Sequence, residues 1–582
     1  MLRCSSKVRP QEDRSGKRSA VVLTRGGGAV TKLGMNSVSR TIVDTLVGQG
    51  ITHAFAVPGE SYLAVLDALT DVQDRLQLVT CRHEAAAANM AEAYGKLTGK
   101  PGVALVTRGP GAAHAAIGVH TARHDSTPML LFVGQVGTDM LQRDAFQEVD
   151  YRLMFGAVAK RVIVIDRADR AAELMASAYA QAISGRPGPV VVVLPEDLLA
   201  EPSPPAVTAP IVAAEPSPDA SAIAKLANLL AEAERPILWI GGSGWSAEDV
   251  ANVTHFAEDA RIPVVTTWRR KDRFDNAHPK YAGELGLGAN PKLVERVASA
   301  DLVIALGTRL GEVPTQGYKL PGVPLPAQTL VHIHPDADTI GAVTQPTLAI
   351  QASVRLAAAA LAELGFVIDG ERWAGWAEAA RADYEAWVAP TAVAGGVNMA
   401  EVIAHIDGVV GPDAIFANGA GNFAAWLHRF HQHRRIGTQL APTSGAMGYG
   451  VPAGVAAKIL HPDRDVVVVA GDGDFLMSGQ ELATAARYGA NVIVLVVDNG
   501  QYGTIRMHQA RDFPGRPSGT AITNPDFAAY AQSFGAFGAT VERTEDFAAV
   551  FAAAKSAAKP ALIALRTDPL EIAPGRRLGD DV

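Results

Sequence analysis

Three doubly wound α/β domains, each a parallel sheet covered by helices, are what this 582-residue sequence predicts. Continuously apolar runs such as Val466–Ala470 and Val190–Leu194 have the character of strands buried on both faces, as parallel strands are. Helical runs alternate with them, so successive strands end on a common edge. A chain of this length, 48% hydrophobic and 19% charged, also carries apolar material for several cores.

Taken in order, residues 1–34 hold eight Lys/Arg against two acids and suit a disordered tail. Two other readings are an over-called start, with Met35 as the functional beginning, and an organelle-targeting peptide. The stretch has no apolar run of signal-peptide length, and nothing downstream approaches a membrane span. A net charge of −8 gives no reason to expect nucleic acid. Two cysteines, Cys4 and Cys81, make no disulfide framework and fit a reducing cytoplasm.

Residues 35–197 form the first domain. A helix (Val38–Gln49) and a strand (His53–Val57) lead to Pro58-Gly59-Glu60. A strand from Leu76 runs into Cys81-Arg82-His83-Glu84 and an Ala-rich helix, and Val103–Thr107 into Arg108-Gly109-Pro110-Gly111. Residues 198–218, rich in Pro, Ala and Glu, read as a linker. A second α/β domain spans 219–364, with strands at Ile237–Ile240, Val264–Thr267, Leu302–Leu306 and Leu330–Ile333. A helical connector bearing Trp373, Trp376 and Trp387 fills 365–397. The third domain occupies 398–570, and 571–582 read as a tail.

The chemistry concentrates in the third domain. An apolar strand ends at Gly471-Asp472-Gly473-Asp474, a helical run follows from Ser478 to Tyr488, and the strand Val492–Val497 ends at Asp498-Asn499-Gly500-Gln501-Tyr502-Gly503. Ligands of open α/β sheets bind beyond the carboxyl edge that these two strands share. The flanking glycines let backbone N–H groups approach an anion. A carboxylate and an amide oxygen, with room for phosphate and water, are the ligand set of Mg²⁺ on a diphosphate. The bland alternative is a pair of ordinary turns.

These residues resemble the metal and diphosphate motif of thiamine-diphosphate enzymes, and Gln480-Glu481-Leu482-Ala483-Thr484-Ala485 resembles the acetohydroxyacid synthase and pyruvate oxidase group. The resemblance covers about Met35 to Leu570. It implies pyrimidine-binding, middle and diphosphate-binding domains in that order, with Mg²⁺ on Asp472, Asn499 and the carbonyl of Gln501. It implies cofactor contacts from Gly421, Asn422, Gly445, Met447, Gly471, Asp472, Gly473, Asp474, Asn499, Gln501, Tyr502 and Gly503. Met447 would lie under the ring junction, and the Gly445 carbonyl would accept from the aminopyrimidine. Glu84 matches the glutamate that binds the pyrimidine N1′ and so creates the carbanion; a plain helix-start acid is the alternative. The resemblance also implies a homodimer or homotetramer, with Glu84 and Asp472 meeting across a subunit interface.

On the substrate side, Ala145-Phe146-Gln147-Glu148 resembles the acetohydroxyacid synthases, which makes Phe146 and Gln147 candidates beside the reacting centre. Glu60 stands where simple decarboxylases carry an acid, and a carboxyl there can protonate the decarboxylated substrate and release aldehyde. Ala113-His114 replaces the usual Thr-Asn, and Glu196 a lysine. His83, His120 and His124 could serve as acid–base groups, but each reads rather as a hydrogen-bonded packing residue. FAD is the disfavoured cofactor: Thr266-Thr267-Trp268-Arg269-Arg270-Lys271-Asp272 replaces a small Gly-rich loop, and Arg269–Arg273 reads as a solvated loop. The expected activity is decarboxylation of a pyruvate-like 2-oxo acid with carboligation to a second carbonyl, as in acetolactate synthase. A non-ligating decarboxylase is the alternative, and a non-catalytic cofactor-binding protein a weaker one.

Overall fold

In the computed structural model, which describes residues 36–365 and 368–579, the chain builds three six-stranded parallel sheets. The basic stretch 1–34, with Cys4, and Met35 lie outside the described residues. The first sheet comprises β1 (His53–Ala56), β2 (Gln77–Thr80), β3 (Gly102–Val106), β4 (Met129–Gln135), β5 (Arg161–Val164) and β6 (Pro189–Pro195). Their spatial order is β2-β1-β3-β4-β6-β5. The second comprises β7 (Pro236–Ile240), β8 (Val264–Thr267), β9 (Tyr281–Leu285), β10 (Leu302–Leu306), β11 (Thr329–His334) and β12 (Leu348–Gln351), ordered β9-β8-β7-β10-β11-β12. The third comprises β13 (Ile415–Asn418), β14 (Gln439–Leu440), β15 (Val466–Gly471), β16 (Ile493–Asp498), β17 (Phe537–Val541) and β18 (Ala561–Arg566), ordered β14-β13-β15-β16-β18-β17.

Five helices matter for the site: α1 (Glu84–Thr98), α2 (Gly109–Asp125), α3 (Ala374–Trp387), α4 (Phe423–Phe430) and α5 (Gly450–Leu460). One apolar core runs unbroken from the first sheet into the third. The Ala-rich sequence of α1 explains the join: small side chains let α2 and α5 pack closely against it, burying Ala86–Ala88, Ala91 and Ala93. The second sheet has cores of its own on its two faces. The connector is tied to that sheet by its indoles, Trp373 Nε1 donating to Ala260 O (2.9 Å) and Trp376 Nε1 to Pro236 O (3.1 Å).

Two expectations are corrected. Arg269–Arg273 is not a solvated loop: all five residues are buried at the junction of the three domains. Burying charge is costly unless each group finds partners, and here each does. Arg270 Nη2 lies 2.8 Å from Asp125 Oδ1 in the first domain. Lys271 Nζ donates to the carbonyls of His428 (2.7 Å) and His431 (2.6 Å) at the end of α4. Asp272 Oδ2 accepts from Gly437 N (3.0 Å) and Asp272 Oδ1 from Arg273 Nη1 (2.9 Å). The stretch from 571 is also more than a tail. Glu571–Ala573 pairs with Arg576–Arg577 in a small antiparallel hairpin, held by Arg577 to Asp568 (2.7 Å).

Candidate active site

Parallel pairing of β15 with β16 sets Gly471 opposite Val497, so Asp472 and Asp498-Asn499 leave the sheet side by side. Asp472 is buried. Its Oδ1 accepts from Gly473 N (2.8 Å), and its Oδ2 from Gly500 N and Asn524 Nδ2 (2.8 Å each). Asn524 also donates to Asp498 Oδ1 (2.8 Å), and Asp498 is ion-paired with Arg566. Asn499 Oδ1 accepts from Gln501 N (3.2 Å), and the Gln501 carbonyl accepts from Gly503 N (2.9 Å), leaving lone pairs on both oxygens. Burial pushes the Asp472 carboxyl above its ordinary range, and burial pushes Asp474 up to about 7 although Gly448 and Ala420 N–H groups favour its charge. Among the described residues neither acid forms an ion pair, whereas neighbouring Asp498 does.

These residues face a cavity of about 660 Å³. Each third-domain residue named from the sequence as a cofactor contact, from Gly421 to Gly503, lines it. Gly473 must lack a side chain, because a Cβ would stand 2.5 Å from the Tyr502 ring. Gly445 is left-handed (φ +69°) with open space above it, so its backbone faces the cavity bare. Asn422 is less available than its position suggests, since its amide is spent on Thr504 (3.0 Å) and Met507 (3.6 Å). The middle domain and connector close the opposite wall with Trp268, Arg269, Leu287 and Tyr384.

A second constellation sits on the carboxyl edge of the first sheet, and none of its members lines that cavity. Glu84 opens α1, capped by His83, whose Nδ1 accepts from Ala85 N (3.1 Å). His114 Nδ1 lies 2.8 Å from Glu84 Oε2, and the His83 and His114 rings lie 4.5 Å apart. Burial lowers the His83 pKa. Glu60 is exposed and bound to Arg108 (2.8 Å), which also lies 3.9 Å from Glu196. Phe146 is 74% exposed on an irregular segment, and Gln147 adopts φ +62° over Gly109. This segment is not helical; the next helix begins at Tyr151.

Three participants escaped the sequence reading. Asn524 belongs to no motif and reaches Asp472 from a distant loop. His114 stood out only as a departure from the family pattern. Glu481 was noted for its motif alone. Its buried carboxylate accepts from Arg82 N (3.0 Å) and from the Thr484 hydroxyl (2.5 Å), so the third domain holds the backbone just ahead of Glu84.

A bound thiamine diphosphate with Mg²⁺ fits the third-domain cavity. Two buried acids without cationic partners, an amide oxygen, bare glycine backbone and an apolar Met447 supply what a metal, a diphosphate and a ring system each need.

Three family models cover the chain. The thiamine pyrophosphate enzyme N-terminal TPP binding domain matches residues 36–155, the central domain 223–362 and the C-terminal TPP binding domain 419–565. Among curated proteins, the acetolactate synthase large subunit of Parasynechococcus marenigrum (strain WH8102) is 32% identical over 542 residues, covering 90% of this chain and 87% of that protein. The large subunit of Corynebacterium glutamicum is 31% identical, covering 90% and 86%. The acetolactate synthase isozyme 2 large subunit of Escherichia coli (strain K12) is 29% identical, covering 91% and 95%.

Proposed function

Because this chain belongs to the thiamine pyrophosphate enzyme family and is an enzyme related to acetolactate synthase large subunits, we propose that it performs a Mg²⁺-dependent decarboxylation of a pyruvate-like 2-oxo acid and ligates the product to a second carbonyl. The observation that carries this reading is Asp472, a buried acid between two backbone N–H donors that lines a cavity rich in glycine, with Asn499 also on its wall.

Asp472, Asn499 and the Gln501 carbonyl would hold the metal, with Asn524 orienting Asp472. When bound, thiamine diphosphate supplies a carbanion nucleophile and an electron sink. Glu84 would exchange a proton at its carboxyl with the pyrimidine N1′, and His114, 2.8 Å away, would hold that carboxyl in place. Met447 would support the ring system and Gly445 would offer its carbonyl to the amino group. Phe146 and Gln147 border the substrate and shield it from water.

In this proposal the first-domain edge of one subunit faces the third-domain edge of another, so the enzyme is a homodimer or homotetramer. FAD is not part of it: Arg269, Arg270 and Lys271 are committed to bonds across the domain junction. Glu60 keeps the plain decarboxylase as a second reading, because an exposed carboxyl near the reacting centre can deliver a proton.

The test is incubation of purified protein with thiamine diphosphate, Mg²⁺ and a panel of 2-oxo acids, with CO₂, aldehydes and 2-hydroxy ketone or acid products quantified. Ligated product from pyruvate is expected. Aldehyde as the sole organic product selects the second reading, and no CO₂ from any acid rejects both. The purified protein should be colourless without added FAD; absorbance in the flavin band contradicts that part.

A further inference from the structure

The middle domain contributes a side chain to the cofactor cavity that its charge pattern alone does not explain. Arg269 is 3% exposed, and among the described residues no carboxylate pairs with its guanidinium. Its partners are two carbonyl oxygens of the third domain: Nη2 donates to Gly419 O (3.0 Å) and Nη1 to Pro442 O. Gly419 opens the turn that carries Gly421 and Asn422. Pro442 opens the turn that carries Gly445 and Met447, and the same Pro442 oxygen accepts from Gly445 N (3.0 Å). One planar, forked cation thus bridges both loops that converge on the cavity, and Arg269 itself lines the cavity wall.

The next residue secures the second loop from its other side. Asp125 accepts from Thr443 N (3.1 Å) and is itself held by Arg270 (2.8 Å) and Lys96 (3.0 Å). The carbonyl of residue 442 and the N–H of residue 443 are therefore fixed by adjacent arginines, one directly and one through Asp125. Arg269 adopts a left-handed backbone (φ +61°), and its N–H donates to Glu284 while its guanidinium lies 4.5 Å over the Trp268 ring. A non-glycine residue keeps such a conformation only where its surroundings impose it.

We propose that Arg269 is a positioning residue of the cofactor site, a clamp from the middle domain that sets the spacing between the 419–422 and 442–447 loops. The proposal rests on the cofactor reading above, but the loop geometry exists without the cofactor, so the two can be tested apart.

The experiment compares wild type with Arg269→Gln and Arg269→Lys, the second keeping charge but not the fork. Hydrogen exchange by mass spectrometry on cofactor-free protein reports the loops, and calorimetry with thiamine diphosphate and MgCl₂ reports binding. Expected for Arg269→Gln is exchange about fivefold faster in 419–422 and 443–449, with Val466–Gly471 and β7–β12 unchanged, and about tenfold weaker cofactor binding. Arg269→Lys should fall between, because an ammonium cannot span both carbonyls. Wild-type exchange and affinity in either folded variant overturns the clamp, and so does acceleration spread over all three domains. If Arg269→Gln does not fold, Arg269→Lys decides alone. Faster loops in the variants, with no thiamine diphosphate binding even in wild type, would leave the clamp standing and remove the cofactor reading.

Discussion

The first and third sheets share one strand order, two-one-three-four-six-five in each domain's own numbering, yet their carboxyl edges differ. The third-sheet edge is closed: Asp472 and Asp474 are buried and every named contact residue faces one cavity. The first-sheet edge is open, with Phe146 74% and Leu153 82% exposed, and with Glu60, Glu84 and His114 reachable from solvent. Topology supplies the edge, and the residues placed on it decide whether it binds, reacts or waits for a partner. In the proposed assembly each edge is half a site.

Asp472→Ala attacks the closed half and should have the largest effect. The diphosphate then loses its bridge through the metal, and Mg²⁺-dependent binding of thiamine diphosphate should fall more than about a hundredfold by calorimetry. Unchanged affinity would remove the closed edge from the site.

Glu84→Gln attacks the open half. Binding should persist while exchange of the cofactor's C2 proton in D₂O, followed by NMR, slows on the order of 10²- to 10⁴-fold. A wild-type exchange rate would make Glu84 a structural acid.

Mixing the two variants after subunit exchange tests whether the halves meet between chains. Each mixed dimer then holds one intact and one doubly altered site, and random pairing returns about a quarter of wild-type activity. Failure to recover, with exchange verified by labelled subunits, would put both halves in one chain.

Glu60→Gln gives the smallest effect. If Glu60 protonates the reacting carbon, the aldehyde-to-ligated-product ratio from pyruvate should fall about two- to fivefold by chromatography, with decarboxylation still measurable. A constant ratio leaves Glu60 as the partner of Arg108 and nothing more.

The closed edge was easier to read from sequence because its chemistry is local. Val466–Ala470 is a continuous apolar strand, Gly-Asp-Gly must follow it, and Asn499 comes one βαβ unit later. Three edge strands, β5, β12 and β17, were not named in advance; they are half-buried and lack that continuous run. Asn524 could not be found, because only tertiary folding brings it to Asp472 and nothing near it in sequence marks it. His114 was visible as an odd residue without a reason until the fold set it against Glu84. The sharpest misreading was Arg269–Arg273. A dense run of charge is ordinarily solvated, and the carbonyls and acids that let it be buried come from stretches of chain distant in sequence.

Lys271 gives that burial a consequence for alkaline solutions. Desolvation lowers its pKa from the ordinary 10.5 to about 8, even with carbonyl oxygens of α4 and His431 around the ammonium. Below about 8 the folded chain keeps a costly buried charge. Between about 8 and 10.5 the folded state has released the proton that the unfolded state still binds, so this lysine makes the fold steadier as pH rises. The shift corresponds to a few kcal/mol, on the order of 3. Denaturant titrations across that window should show a rising contribution in wild type that Lys271→Met lacks, which would mark the junction as a place where base strengthens the protein.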